Sequence, residues 1–84
     1  MDAAGDGLGA RVPLADVAVG RCVRVLEIGA GPAMVRRCLA LGITVGSELE
    51  IRRRRGRGVV VANGGNRVAI GAEVAAQIVT EPVG

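Results

Sequence analysis

The stretch Gly31-Pro32-Ala33-Met34-Val35-Arg36-Arg37-Cys38-Leu39-Ala40-Leu41-Gly42-Ile43-Thr44-Val45-Gly46 reads as one short helix with a start and a stop signal. Pro32 suits the first helical turn, where a missing N–H loses no useful bond and a fixed φ matches the helix. Gly42 can adopt the left-handed conformation that closes a helix. At about 100° per residue, Met34, Cys38, Leu41, Val35 and Leu39 share one continuous arc, and Arg36, Ala40 and Arg37 take the rest. The pattern predicts a helix that rests this apolar arc on a core and turns two arginines to solvent. Such a segment suits a lid on a small barrel better than an active site.

Working outward, the flanking segments read as short strands. Leu14-Ala15-Asp16-Val17 leads to a turn at Gly20, and the β-branched run from Arg21 to Ile28 follows, with Val23 and Val25 on one face and Cys22 and Arg24 on the other. Alternation fails at Leu26-Glu27-Ile28, where a bulge is expected. Beyond the helix, Ser47 to Arg53 places Leu49 and Ile51 on one face against Glu48, Glu50 and Arg52. Arg54 to Gly58 reads as a loop and Val59-Val60-Val61-Ala62 as a strand apolar on both faces. Asn63-Gly64-Gly65-Asn66 is a tight hairpin signal, and Arg67 to Ile70 returns with Val68 and Ile70 on one face. Ala72 to Gln77 suits a helical turn or two, and Ile78-Val79-Thr80 a last strand. The expectation is a mainly β chain of about five short strands, one helix after the first and a short helix before the last. Strands this short bury their faces best by curling into a small barrel.

Size and composition agree with a single domain over residues 12–82, preceded by a small, Gly-rich, acidic segment over residues 1–11 that reads as a mobile tail. Phe, Tyr and Trp are absent, so the core must be built from Val, Ile, Leu and Ala. Each fully buried side chain of that kind contributes roughly 1.5–3 kcal/mol. Every basic residue is arginine. Outside the first ten residues, eleven arginines face six carboxylates, a balance of +5. A basic surface favours acidic partners, anionic headgroups or nucleic acid. No stretch approaches the ~20 apolar residues of a membrane span, and the start lacks the basic and apolar regions of a signal peptide. A cytoplasmic protein with reduced Cys22 and Cys38 is expected.

The candidate contact residues are the arginines and one valine. Arg52, Arg53, Arg54, Arg55 and Arg57 offer planar forks to carboxylates or phosphates. Their bland reading is a solvated hairpin end that keeps an edge strand from aggregating. Arg36 and Arg37 either frame a docking patch or keep a helix face soluble. Val60, opposite Val59 and Val61 by period 2, is either covered by a helix or exposed as a partner contact. Cys38 reads as core. Two cysteines without histidine or Cys-x-x-Cys spacing make a poor metal site, and Gly29, Gly31, Gly64 and Gly65 read as turns rather than a phosphate cradle. With no histidine, lysine or tyrosine, and no general base evident beside Ser47 or the threonines, an enzyme is not expected. Nor is a cofactor. Nucleic-acid binding is disfavoured by the lack of aromatic stacking platforms. Self-association, as a homodimer, stays open for so small a domain.

The order and spacing of several motifs resemble the FeoA family. Leu14-Ala15-Asp16-Val17 with Gly20 matches its opening. Arg36-Arg37-Cys38-Leu39-Ala40-Leu41-Gly42-Ile43, then Gly46, is similar to its Arg-Arg-Leu-x-x-Leu-Gly-[Leu/Ile] helix end. Arg67-Val68-Ala69-Ile70 and Glu73 to Val79 resemble its closing strand, small helix and final strand. Cys38 stands where leucine is usual, and Val19 and Val45 where proline is common. The resemblance implies an SH3-like barrel and a role as accessory protein to FeoB, the membrane ferrous iron transporter with a cytosolic GTP-binding domain. It also implies kinship with the C-terminal domains of DtxR-type metal-dependent repressors. A repressor-linked or basic nucleic-acid-binding module is therefore the alternative, disfavoured because no helix-turn-helix precedes the domain.

Overall fold

The strand Glu48–Arg55 carries the feature that organises the molecule. In the structure, a computed structural model that describes residues 11–83, its register with Gly58–Asn63 pairs Ile51 with Val61 and then Arg53 with Val60, so Arg52 is an extra residue. A bulge of this kind reverses the inside-outside phase of a strand. Before it, Leu49 and Ile51 are buried; at it, Arg52 and Arg53 are both exposed; after it, Arg54 turns inward to half-burial.

The elements in chain order are β1 (Val12–Pro13), a 3-10 turn (Leu14–Asp16), β2 (Cys22–Ile28), α1 (Gly31–Ala40), β3 (Glu48–Arg55), β4 (Gly58–Asn63), β5 (Asn66–Ile70), α2 (Ala72–Ala75) and β6 (Ile78–Pro82). They build one antiparallel sheet of order β1-β6-β2-β3-β4-β5. The sheet curls. The 3-10 turn that follows β1, at one end of the order, packs against β4, next to the other end. Inside lies a single core that includes Leu14, Val25, Ile43, Leu49, Ile51, Val61 and Ile78. This is the expected mainly β, barrel-like architecture built without aromatic residues.

Several details differ from the sequence expectations. Among the described residues the sheet has six strands, because β1 adds a two-residue strand that carries no readable periodicity. It is held by pairing of Val12 with Thr80 and by the Thr80 hydroxyl, which donates to the Val12 carbonyl at 2.8 Å inside the core. The helix therefore follows the second strand. Arg54 and Arg55 belong to β3 rather than to a loop, since the β3–β4 turn is only Gly56-Arg57, with Gly56 at φ +60°. The last strand runs on to Pro82. The bulge expected in β2 is present, as a register shift between Val25 and Glu27 against β6. The expected tail lies, apart from Arg11, outside the described residues.

Helix α1 ends as its glycine foretold. Gly42 sits at φ +82°, its N–H donates to the Leu39 carbonyl at 2.8 Å, and the Ile43 N–H donates to the Cys38 carbonyl at 2.9 Å. This is the Schellman arrangement, whose accompanying apolar contact here joins Cys38 and Ile43 in the core. An isolated helix of this length is marginal, so its face against β2 must hold it.

Gly58 opens β4 where backbone packs closely on backbone. A Cβ there would lie 2.9 Å from the Ile70 carbonyl oxygen and 3.3 Å from that of Arg55, whereas one at Gly65 would meet nothing within 4 Å. Gly58→Ala is expected to lower stability by about 1–3 kcal/mol, and Gly65→Ala to stay within about 0.5 kcal/mol. Urea unfolding of both variants measures the difference.

Candidate interaction surfaces

Only a narrow seam of α1 rests on the barrel. Met34 and Cys38 are buried and Leu41 is half-buried. Val35 and Leu39, assigned by periodicity to the covered arc, are 41% and 61% exposed. The apolar arc is therefore wider than the barrel end it covers, and its uncovered half faces solvent. Val35 and Leu39 lie four apart and are neighbours on the helix surface. Arg36, also exposed, follows Val35 directly. Arg37 leans instead toward α2, where its Nη1 lies 3.6 Å from Glu73 Oε1; both side chains are well exposed, so this pair adds little to stability.

The second surface is the outer face of β3, β4 and β5. Val60 points away from the core, opposite buried Val59 and Val61, and is half-buried with Arg52, Arg53 and Arg67 around one concavity. Toward the other end of the strands, Arg55 and Arg57 line a second concavity with Val60 and Ala69. Of these arginines, Arg52 meets a carboxylate of the described residues, Glu50, at 3.2 Å. Arg53, Arg55, Arg57 and Arg67 form no ion pair among the described residues. Arg67 was missed as a member of this face, although the period-2 pattern that puts Val68 and Ile70 inside puts Arg67 outside.

Arg54 stands apart from the run. Its guanidinium donates to the backbone carbonyls of Ala15 and Val17. It clasps the 3-10 turn onto the end of β3, which makes it a brace of the barrel rather than a free contact. Arg24 is likewise committed: it pairs with Glu48 at 2.9 Å and Glu81 at 3.2 Å. Its pKa is raised, chiefly by the hydrogen bond to Glu48, with desolvation opposing that and the charges of Glu48 and Glu81 adding to it.

Ser47 and Glu27 have structural occupations. The Ser47 hydroxyl accepts the Thr44 N–H at 3.0 Å, and Glu27 pairs with Arg11 at 2.8 Å. Cys38 is enclosed and Cys22 is exposed, both as free thiols. Burial pushes the Cys38 thiol pKa up, and the charge of Arg37 offsets part of that. Among the described residues, no three of His, Cys, Asp and Glu gather closely enough to hold a metal ion.

The family model for the FeoA domain matches residues 12–82. The chain belongs to the FeoA family. It is 35% identical over 69 residues to a Methanocaldococcus jannaschii protein provisionally named Fe(2+) transport protein A, a match spanning 82% of this chain and 84% of that one. A solved iron uptake regulatory protein, FeoA, superposes with a TM-score of 0.80 at 25% identity, over 87% of this chain and 97% of the other. A manganese-dependent transcriptional repressor superposes with a TM-score of 0.79 at 26% identity, and there the match covers 87% of this FeoA-family chain but only 42% of the repressor.

The two thiols provide a direct check on how α1 seats. Iodoacetamide is expected to modify Cys22 readily in the folded protein and Cys38 only after denaturation, as mass spectrometry of the labelled peptides would read. Equal labelling of both under native conditions would contradict a helix closed over the core at Cys38.

Proposed function

We propose that this chain is a non-catalytic accessory protein of ferrous iron uptake that binds a FeoB-type membrane transporter from the cytosolic side. Membership of the FeoA family and the name of the M. jannaschii relative support the iron-transport setting. The observation that carries the binding mode is the solvent exposure of Val35 and Leu39 side by side on α1. Apolar side chains grouped on the surface of a small domain are characteristic of a contact site. Arg36 beside them adds a charge that suits a polar rim around an apolar centre. The protein acts by occupying a surface of the transporter. Among the described residues, no helix is long and apolar enough to cross a membrane.

The alternative, a regulatory module of the kind appended to DtxR-type repressors, draws on the likeness to the manganese-dependent repressor. The two readings separate on partner: the first requires the transporter and the second DNA. A salt titration against duplex DNA would show a steep loss of affinity with salt and a sequence preference if the second held.

Co-purification with the FeoB-type transporter of the same organism, in both nucleotide states of its GTP-binding domain, tests the first reading. The wild-type chain is expected to associate. The double variant Val35→Ser/Leu39→Ser is expected to bind about tenfold or more weakly while keeping its unfolding midpoint. Absence of association in either state, or undiminished binding by the variant, would count against it.

A further inference from the structure

Strand β5 ends the sheet order, with β4 on one side and, among the described residues, no strand on the other. Asn63 and Asn66 flank a two-residue turn, and the register continues through Ala62–Arg67, Val61–Val68, Val60–Ala69 and Val59–Ile70. In such a hairpin the pair next to the turn exchanges hydrogen bonds, and bonded and non-bonded pairs then alternate. Asn66, Val68 and Ile70 therefore spend their backbone groups on β4. Arg67 and Ala69 direct theirs outward, and both residues are exposed. The free edge thus offers two spaced sets of backbone donors and acceptors beside the arginine-lined face.

We propose that the β5 edge binds an acidic, extended peptide segment as an added strand. Backbone pairing through Arg67 and Ala69 supplies the register, as in other strand-addition complexes. Side chains of the added strand that fall on the outer face lie beside Arg67 and toward Arg53 and Val60. Carboxylates there meet guanidinium groups that have no ion-pair partner among the described residues.

Charge selects this occupant over the others. Two copies of the chain pairing edge to edge would bring two arginine faces together, and like charges across paired strands are destabilising. Single-stranded nucleic acid would match the charge, but it brings no peptide groups for the outward donors and acceptors, and this chain has no aromatic residue on which bases stack. An anionic membrane leaves the same backbone groups unpaired. This inference goes beyond the α1 docking surface and does not rest on it.

The test is an amide NMR titration of the full chain with a synthetic alternating Glu/Val peptide about ten residues long, enough to span a strand of ordinary length. The Lys/Val counterpart, an oligo-dT strand and phosphatidylserine vesicles are the comparators. The Glu/Val peptide is expected to bind, more weakly as salt rises, and to slow hydrogen exchange at the Arg67 and Ala69 N–H groups. Ala69→Pro removes one outward donor without touching the β4–β5 bonds. It and the charge reversal Arg53→Glu/Arg67→Glu are each expected to weaken binding roughly tenfold, with Arg11→Glu unchanged. If Ala69→Pro lowers the unfolding midpoint, the charge reversal alone decides. No binding, equal binding of the Lys/Val peptide, tighter binding of oligo-dT or vesicles, or binding without protection at Arg67 and Ala69 would overturn the proposal.

Discussion

One inserted residue in β3 governs both the closure of this small barrel and the chemistry of its surface. Without the bulge at Arg52, strict alternation after Leu49 and Ile51 would send Arg53 into the core and Arg54 outward. An unpaired arginine in an interior of Val, Ile and Leu would carry a heavy desolvation cost. With the bulge, Arg52 and Arg53 both face water and Arg54 reaches the carbonyls of Ala15 and Val17. The same step that spares the core a charge provides a clasp between the end of β3 and the 3-10 turn after β1. That turn also buries Leu14 and Ala15, so the clasp and the apolar seal of the barrel sit together.

The surfaces follow from a shortage of covering material. A chain with no aromatic residues fills a narrow core with branched aliphatic groups, and one ten-residue helix lies beside it. The helix meets the barrel along Met34, Cys38 and Leu41, with Ile43 completing the seal through the helix stop. Its apolar arc is wider than this seam, which leaves Val35 and Leu39 outside. A domain of this size has little apolar surface to spare. These two apolar side chains are presented on an ordered helix rather than on a loop. The arginines of the β3–β5 face are polar and spread along strands, so the two surfaces differ in chemistry.

Much of this was legible in the sequence. The helix stop at Gly42, the hairpin at Asn63 to Asn66, the inward pairs Val23/Val25 and Leu49/Ile51, the short helix before the last strand and the bulge in β2 all carry local signals with one physical interpretation. The FeoA resemblance rested on the same landmarks. What escaped was what local signals do not encode. The strand Val12–Pro13 exists because of Thr80, far along the chain. The bulge in β3 is hidden in four consecutive arginines, where alternation has nothing to read, so the strand was cut short and the role of Arg54 concealed. The exposure of Val35 and Leu39 depends on the width of the barrel end, which no helical wheel contains. Arg67 was within reach, because Val68 and Ile70 facing inward already placed it outside.

The division of labour among the four arginines of β3 is the claim on which the rest stands, and an alanine scan of residues 52 to 55 read by urea unfolding tests it most directly. The account predicts that Arg54→Ala alone loses about 1.5–3 kcal/mol, from two charge-assisted bonds to backbone carbonyls. Arg52→Ala, Arg53→Ala and Arg55→Ala should remain within about 0.5 kcal/mol of the parent. A loss centred on Arg53 would mean the strand passes through this region in the other phase, and an even loss across the four would contradict the division of labour.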